Sequence, residues 1–164
     1  MTTDSQETTY RVYIDATIPS YLVSKPSRDP KTAEWQKITH EFWHDNRFEF
    51  ILSDLVIAEI SIGDRIQAAD RLQAIEDLTV VDALDLERAL ARKLVAGNAI
   101  PEIALPDAIH VAVAAIHAIP YLVTWNFAHL ANPRTRPKIE QICRDAGYAP
   151  PRIQSPKAIL EELS

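Results

Sequence analysis

The chain has 164 residues, 47% of them hydrophobic, and carries a formal net charge of −6, which suits one globular domain with its own core. No run approaches the roughly 18 apolar residues of a membrane span, and the lone cysteine, Cys143, excludes an internal disulfide and fits a reducing cytoplasm. The negative balance argues against a dedicated non-specific nucleic-acid binder, but not against a nuclease whose acids hold cations.

Met1–Thr9 is polar and lacks the basic start and apolar stretch of a secretory signal, so it is expected to be a disordered tail. A single domain is expected over residues 10–164, because no long Pro/Ser linker, repeat or low-complexity segment interrupts them. Tyr10–Ile14 reads as a buried strand. Thr17–Val23 reads as a helix capped by Thr17, with Pro19 in its first turn. Thr32–His44 is helical and Phe48–Leu52 is a strand. Ser53 then caps a helix through Ile60, and Asp54 suits its positive end. Ala68–Asp77 is a helix, Leu78–Val81 a strand, and Leu84–Ala96 a helix stopped by Gly97-Asn98 in a left-handed cap. Pro106–Ala118 is helical and Tyr121–Thr124 is a strand. Lys138–Ala146 is a helix ended by Gly147, and Arg152–Gln154 is an edge strand. Strands alternating with helices predict an α/β sandwich with a mostly parallel sheet. Ligands of such sheets bind beyond the carboxyl ends of the strands, where Asp15 and Asn126 both fall.

Four polar residues follow or interrupt strongly apolar runs: Asp15, Glu59, Asp107 and Asn126. A carboxylate in an apolar setting costs several kcal/mol by order of magnitude unless a cation or donor compensates it, which points to a metal site. Apolar residues surround the helix around Glu59, so that helix is expected to be buried and Glu59 to point inward; an exposed glutamate is the alternative. Asp107, beside Pro106, is in an ordinary capping position. The small residues Ala108, Ala112, Ala114 and Ala115 would nevertheless let its helix pack close, bringing the first turn to the strand ends. Asp15 also suits a turn, and the Thr17 hydroxyl two residues on can hold it or a metal-bound water. Asn126 offers an uncharged oxygen ligand, and Thr124 can hydrogen-bond across the site.

In order along the chain, Tyr-Ile-Asp15-Ala-Thr17-Ile-Pro-Ser-Tyr-Leu and Ser53-Asp-Leu-Val-Ile-Ala-Glu59-Ile are followed by Asp107-Ala-Ile-His110-Val-Ala-Val-Ala and Leu-Val-Thr124-Trp125-Asn126-Phe-Ala-His129-Leu. These segments resemble the four motifs of PIN-domain ribonucleases, from Tyr10 to about Ser155, and are similar to those of the VapC-type toxins of toxin–antitoxin modules. The resemblance implies a three-layer α/β/α sandwich. It also implies an endoribonuclease in which Asp15, Glu59 and Asp107 form an acidic triad holding Mg²⁺ or Mn²⁺, with Asn126 as a fourth metal position and Thr17 and Thr124 in support. Products would carry a 5′-phosphate and a 3′-hydroxyl, and the partners would be RNA, a small cognate antitoxin and a second copy of the chain. One position departs from the family: Asn126 stands where these nucleases often have Asp, which would weaken a second metal. The alternative is therefore a PIN-like RNA- or protein-binding module of low activity.

Arg134, Arg136 and Lys138 are candidates for phosphate contact, or else solvated loop residues. His110 and His129, each three residues after a proposed ligand, read as histidines satisfied within packing, with orientation of those ligands or phosphate contact as the alternative. His40-Glu41-Phe42-Trp43-His44 spells the zinc-protease pattern H-E-x-x-H. At about 100° per residue, Trp35, Ile38, Phe42 and Trp43 share the apolar face, so both histidines are expected to face solvent.

Overall fold

The coordinates are a computed structural model, and the residues described are 8–164. Of the expected tail, residues 1–7 lie outside them, and Thr8 and Thr9 are exposed and belong to no regular element. Strand β1 (Tyr10–Ile14) occupies the middle of the sheet, with Val12, Tyr13 and Ile14 fully buried. Such a run needs no polar alternation, because a central parallel strand is covered on both faces. On one side β1 pairs with β2 (Phe48–Ser53), Tyr13 lying opposite Ile51, and β2 pairs with β3 (Thr79–Val81). On the other side β4 (Tyr121–Val123) sets Val123 against Ile14, and β5 (Arg152–Gln154) lies beyond it. The order is β3-β2-β1-β4-β5, with every pairing parallel.

The described residues also form eight α-helices, α1 (Thr17–Val23), α2 (Pro30–Trp43), α3 (Asp54–Ile60), α4 (Arg65–Ala74), α5 (Asp85–Ala96), α6 (Leu105–Ile116), α7 (Arg136–Asp145) and α8 (Pro156–Glu162), and a short 3-10 turn over Glu102–Ala104. Helices α5, α6 and α7 pack together, as do α1, α2, α4 and α8. The sheet flanked by helices is the expected three-layer α/β/α sandwich. Residues Ala108 to Ala115 of α6 are all buried. Val111 and Val113 each contribute about 1.5–3 kcal/mol by leaving water. No helix among the described residues is long and apolar enough to cross a membrane.

Strand order reverses between β1 and β4, so a crevice opens beyond their carboxyl ends. Asp15 leaves β1 into that crevice, and the segment Thr124-Trp125-Asn126 leaves β4 beside it.

Several local readings change. Thr17 is not the cap of α1: Ala16 holds the cap position, and the Thr17 hydroxyl turns back to Asp15. Ser53 has the cap backbone of α3, but its hydroxyl goes to Tyr13. Helix α2 starts two residues earlier than expected, because Asp29 accepts from the Thr32 N–H and hydroxyl. Asn98, at φ 60°, takes the left-handed turn after α5, while Gly97 keeps a negative φ. Helix α8 is not among the expected elements; Ser155 caps it through the Ala158 N–H and Pro156 opens it. Nor is α3 enclosed all round, since Asp54 and Ala58 are exposed. Cys143 is buried in α7, where burial pushes its thiol up to about 11, far from nucleophilic use.

Candidate active site

Asp15 is 3% exposed at the mouth of the crevice. Its Oδ1 accepts from the Thr17 N–H at 3.1 Å and the Thr17 hydroxyl at 2.5 Å, and Oδ2 accepts from the Thr124 hydroxyl at 2.6 Å. Each hydroxyl also accepts a backbone N–H from the segment after β4: Trp125 to Thr17 at 3.0 Å, and Asn126 to Thr124 at 2.9 Å. Two threonines therefore clamp that segment onto the carboxylate and lock its rotamer. All the donors are neutral. Burial consequently holds the Asp15 carboxyl above the ordinary carboxylate range, offset in part by the charge of His110 and by these donors.

Asp107, half-buried in the first turn of α6, does not cap its helix. Its Oδ2 accepts instead from Asn126 Nδ2 at 3.0 Å. The Asn126 oxygen accepts the His129 N–H at 3.0 Å, which sets the orientation of the amide. Asn126 was expected to offer an oxygen to a metal; here it meets the acid with its nitrogen, because the backbone of His129 takes the oxygen. Burial also raises Asp107, against the lowering influence of His110 and of the Asn126 bond.

Glu59, at the end of α3, is held differently. Its Oε1 lies 2.6 Å from His110 Nε2, and its side chain is 31% exposed. His110 Nδ1 lies 2.6 Å from the Tyr13 hydroxyl, which lies 2.8 Å from Ser53 Oγ. The fully buried Tyr13 needs a partner for its hydroxyl and has two. Burial alone would lower His110, but Glu59 together with Asp15 and Asp107 holds it above the ordinary histidine value. All three expected acids thus act on one buried imidazole. Because hydroxyls rotate, the Tyr13–Ser53 pair satisfies Nδ1 whether it donates or accepts. His110 is satisfied within packing, as expected, and it also orients Glu59. The signal for its partners was a histidine in an unbroken apolar run on a helix with no room to reach water.

The remaining candidates separate cleanly. Arg134 and Lys138 are exposed, whereas Arg136 donates from Nη2 to the Ile153 carbonyl at 2.9 Å and is committed to β5. His40, Glu41 and His44 are exposed on α2, as the helical geometry predicted, and His44 Nδ1 lies 2.8 Å from the His40 carbonyl oxygen. His129 is half-buried and lowers Asp107 by its charge. A cleft of about 440 Å³ lies between α1 and α2, lined by Ser20, Tyr21, Ser24 and Lys25 among others, and the carboxylates do not line it.

The match to the PIN domain family spans residues 12–129, well over half the chain. The chain belongs to the PIN domain family. None of the curated proteins compared with it matches. PIN domains are generally nucleases, hydrolases acting on RNA or DNA, and typically use divalent metal ions. The donor set of this PIN domain fits such an ion in its chemistry. Asp15 and Asp107 carry hard carboxylate oxygens whose proton affinity burial has raised, and a cation would relieve that same unfavourable charge burial. Among the described residues no three His, Cys, Asp or Glu side chains converge closely enough to hold an ion by themselves, since Glu59 is drawn onto His110. A Mg²⁺ ion needs only one or two carboxylates when waters and substrate phosphate complete its shell.

Proposed function

We propose that the protein is a divalent-metal-dependent endoribonuclease, the toxin of a toxin–antitoxin pair, with Asp15, Glu59 and Asp107 as its acidic triad. One observation carries this reading. Asp15 is a buried carboxylate with only neutral donors, at the switch point of a PIN-domain sheet and linked through Thr124 and Asn126 to Asp107. A bound Mg²⁺ or Mn²⁺ ion would supply charge for the scissile phosphate and lower the pKa of a water. The protein's own residues do the positioning. Thr17 and Thr124 fix both oxygens of Asp15, and Asn126 steers Asp107 while adding no charge. His110 holds Glu59 in place through its Nε2 and offsets part of the summed negative charge.

The toxin role, the small antitoxin partner, the second copy of the chain and the cytoplasmic setting rest on the four-motif resemblance and on the unpaired Cys143. A small neighbouring reading frame with a DNA-binding amino-terminal half would support the first two. Arg134 and Lys138 remain free for phosphate, and Arg136 is retained as a candidate only if it exchanges its bond to Ile153 for one to substrate.

Purified protein is expected to cleave RNA with Mg²⁺ or Mn²⁺ and not with a chelator, and Asp107→Ala should abolish cleavage. Activity that survives either change would overturn the assignment. The bond from Asn126 to Asp107 favours a second reading, a binding module with slow turnover. Under it, Asn126→Asp should raise metal affinity and cleavage together. No gain in the variant counts against that reading.

A further inference from the structure

We infer that an unpaired RNA base stacks on an aromatic wall beside the acid cluster, with Phe127 as its open face, so that single strands are gripped by stacking more than by charge. The inference rests on the ribonuclease reading and adds a subsite to it. The Trp35 and Trp125 rings lie parallel, 4.6 Å apart with an interplanar angle of 10°. Tyr21 packs on both at 5.7 and 6.1 Å, and Phe127 meets both at 5.5 and 6.2 Å. The base of the wall is rigid. Trp125 is 4% exposed, and its indole N–H donates to the Thr39 hydroxyl at 2.8 Å. Ordinary core packing accounts for Trp125 and Tyr21. It does not account for Phe127, which remains 44% exposed.

Two further observations tie this surface to the substrate. Phe127 directly follows Asn126, about 3.8 Å along the chain from a residue bonded to Asp107. The Thr17 hydroxyl that donates to Asp15 also accepts the Trp125 N–H, so the wall and the acids are one construction. Charge points the same way. The chain carries −6, and Arg136 is committed to Ile153, so phosphate attraction alone gives a weak hold. Stacking on aromatics tolerates any base, because every base has a π-face. At the rim, the Lys31 ammonium sits 4.9 Å from the Trp35 ring centroid, ready for a phosphate. Past Tyr21 the cleft between α1 and α2 continues the path with hydroxyls and Lys25. Bases in a duplex are already stacked and cannot reach such a wall, so it selects single strands.

The test is binding of a short mixed-sequence, fluorescein-labelled RNA, single-stranded and as its duplex, read by anisotropy with Ca²⁺ and with a chelator. Phe127→Ala and Phe127→Leu should each weaken single-strand binding roughly 5- to 150-fold, the range for one stacked base, while Phe127→Tyr keeps it. Thermal melts should leave all three variants folded, because the side chain is on the surface. Duplex binding should be weaker and insensitive to all three. If Phe127→Leu binds like the unchanged protein, or the duplex binds as well as the single strand, the stacking subsite is wrong while the nuclease reading stands. If the unchanged protein binds neither RNA under either condition, the subsite falls and the nuclease reading is then judged by cleavage alone.

Discussion

Asp15 and Glu59 are both expected metal ligands, yet the protein holds them by opposite devices. Asp15 is enclosed by local, neutral donors: Thr17 two residues on, and Thr124 reached across the central strand pair. Glu59 stands at the rim and is held by His110, a residue that can itself carry charge, at the end of a chain running back through Tyr13 to Ser53. The first arrangement fixes geometry but leaves a negative charge buried, so it rewards an incoming cation. The second supplies its own counter-charge and leaves the carboxylate partly in solvent. Under the proposed function, the first acid is the one a cation would stabilise, and the second would have to leave His110 to reach it.

The largest effect is expected at the first device. Asp15→Asn removes the buried charge with little change in shape, and metal-dependent cleavage should be lost entirely; retention of cleavage in a gel assay would mean that Asp15 is only structural. His110→Ala comes next, with cleavage down about 10- to 100-fold, as for other residues that orient a ligand from behind. His110→Gln, which can place a donor near Glu59, should recover part of that loss. If His110 matters only for packing, Gln and Ala will behave alike in activity and differ only in melting temperature. Thr124→Val removes the donor to Asp15 and the acceptor for the Asn126 N–H, and should cost about 1–3 kcal/mol in urea melts.

The smallest effect is a pH slope, and it separates the two devices thermodynamically. Burial raises Asp15, so between the ordinary carboxylate range and its raised value the folded protein binds more protons than the unfolded chain. Metal-free stability should therefore fall as pH rises through that window. His110, also raised, acts in the same sense: its contribution is complete below the ordinary histidine range and is lost as pH rises through the folded value. Urea melts from acid to neutral pH, on the unchanged protein and on Asp15→Asn, isolate the Asp15 part as the difference in slope. Added Mg²⁺ should flatten the slope of the unchanged protein alone.

Much of the fold was legible because it is written in local patterns. The buried run Val12–Ile14, the small-residue helix after Pro106 and the alternation of strands with helices all follow from side-chain size and period. The burial of Asp15 was legible as well, since a carboxylate after an apolar run asks for an explanation, whereas Asp107, in an ordinary capping position, stood out only through the four-motif resemblance. Destinations of hydroxyls and imidazoles were not. Ser53 looks like a helix cap, but its hydroxyl is claimed by Tyr13, 40 residues away. His110 finds partners 51 and 97 residues distant; its apolar run announces that it needs partners but not which residues they are. Arg136 likewise looks free in a basic stretch until β5 presents the Ile153 carbonyl. The turn of the Asn126 amide depends on the His129 N–H, a backbone detail no residue type encodes. By contrast, Ser155-Pro156 was a readable start signal for α8.

The most direct test of the central claim is digestion of an end-labelled single-stranded RNA by the unchanged protein and by Asp15→Asn, each with Mg²⁺ and with a chelator. Internal cleavage only by the unchanged protein, and only with Mg²⁺, is the result the account requires. Equal cleavage by both proteins, or cleavage that persists in the chelator, would contradict it.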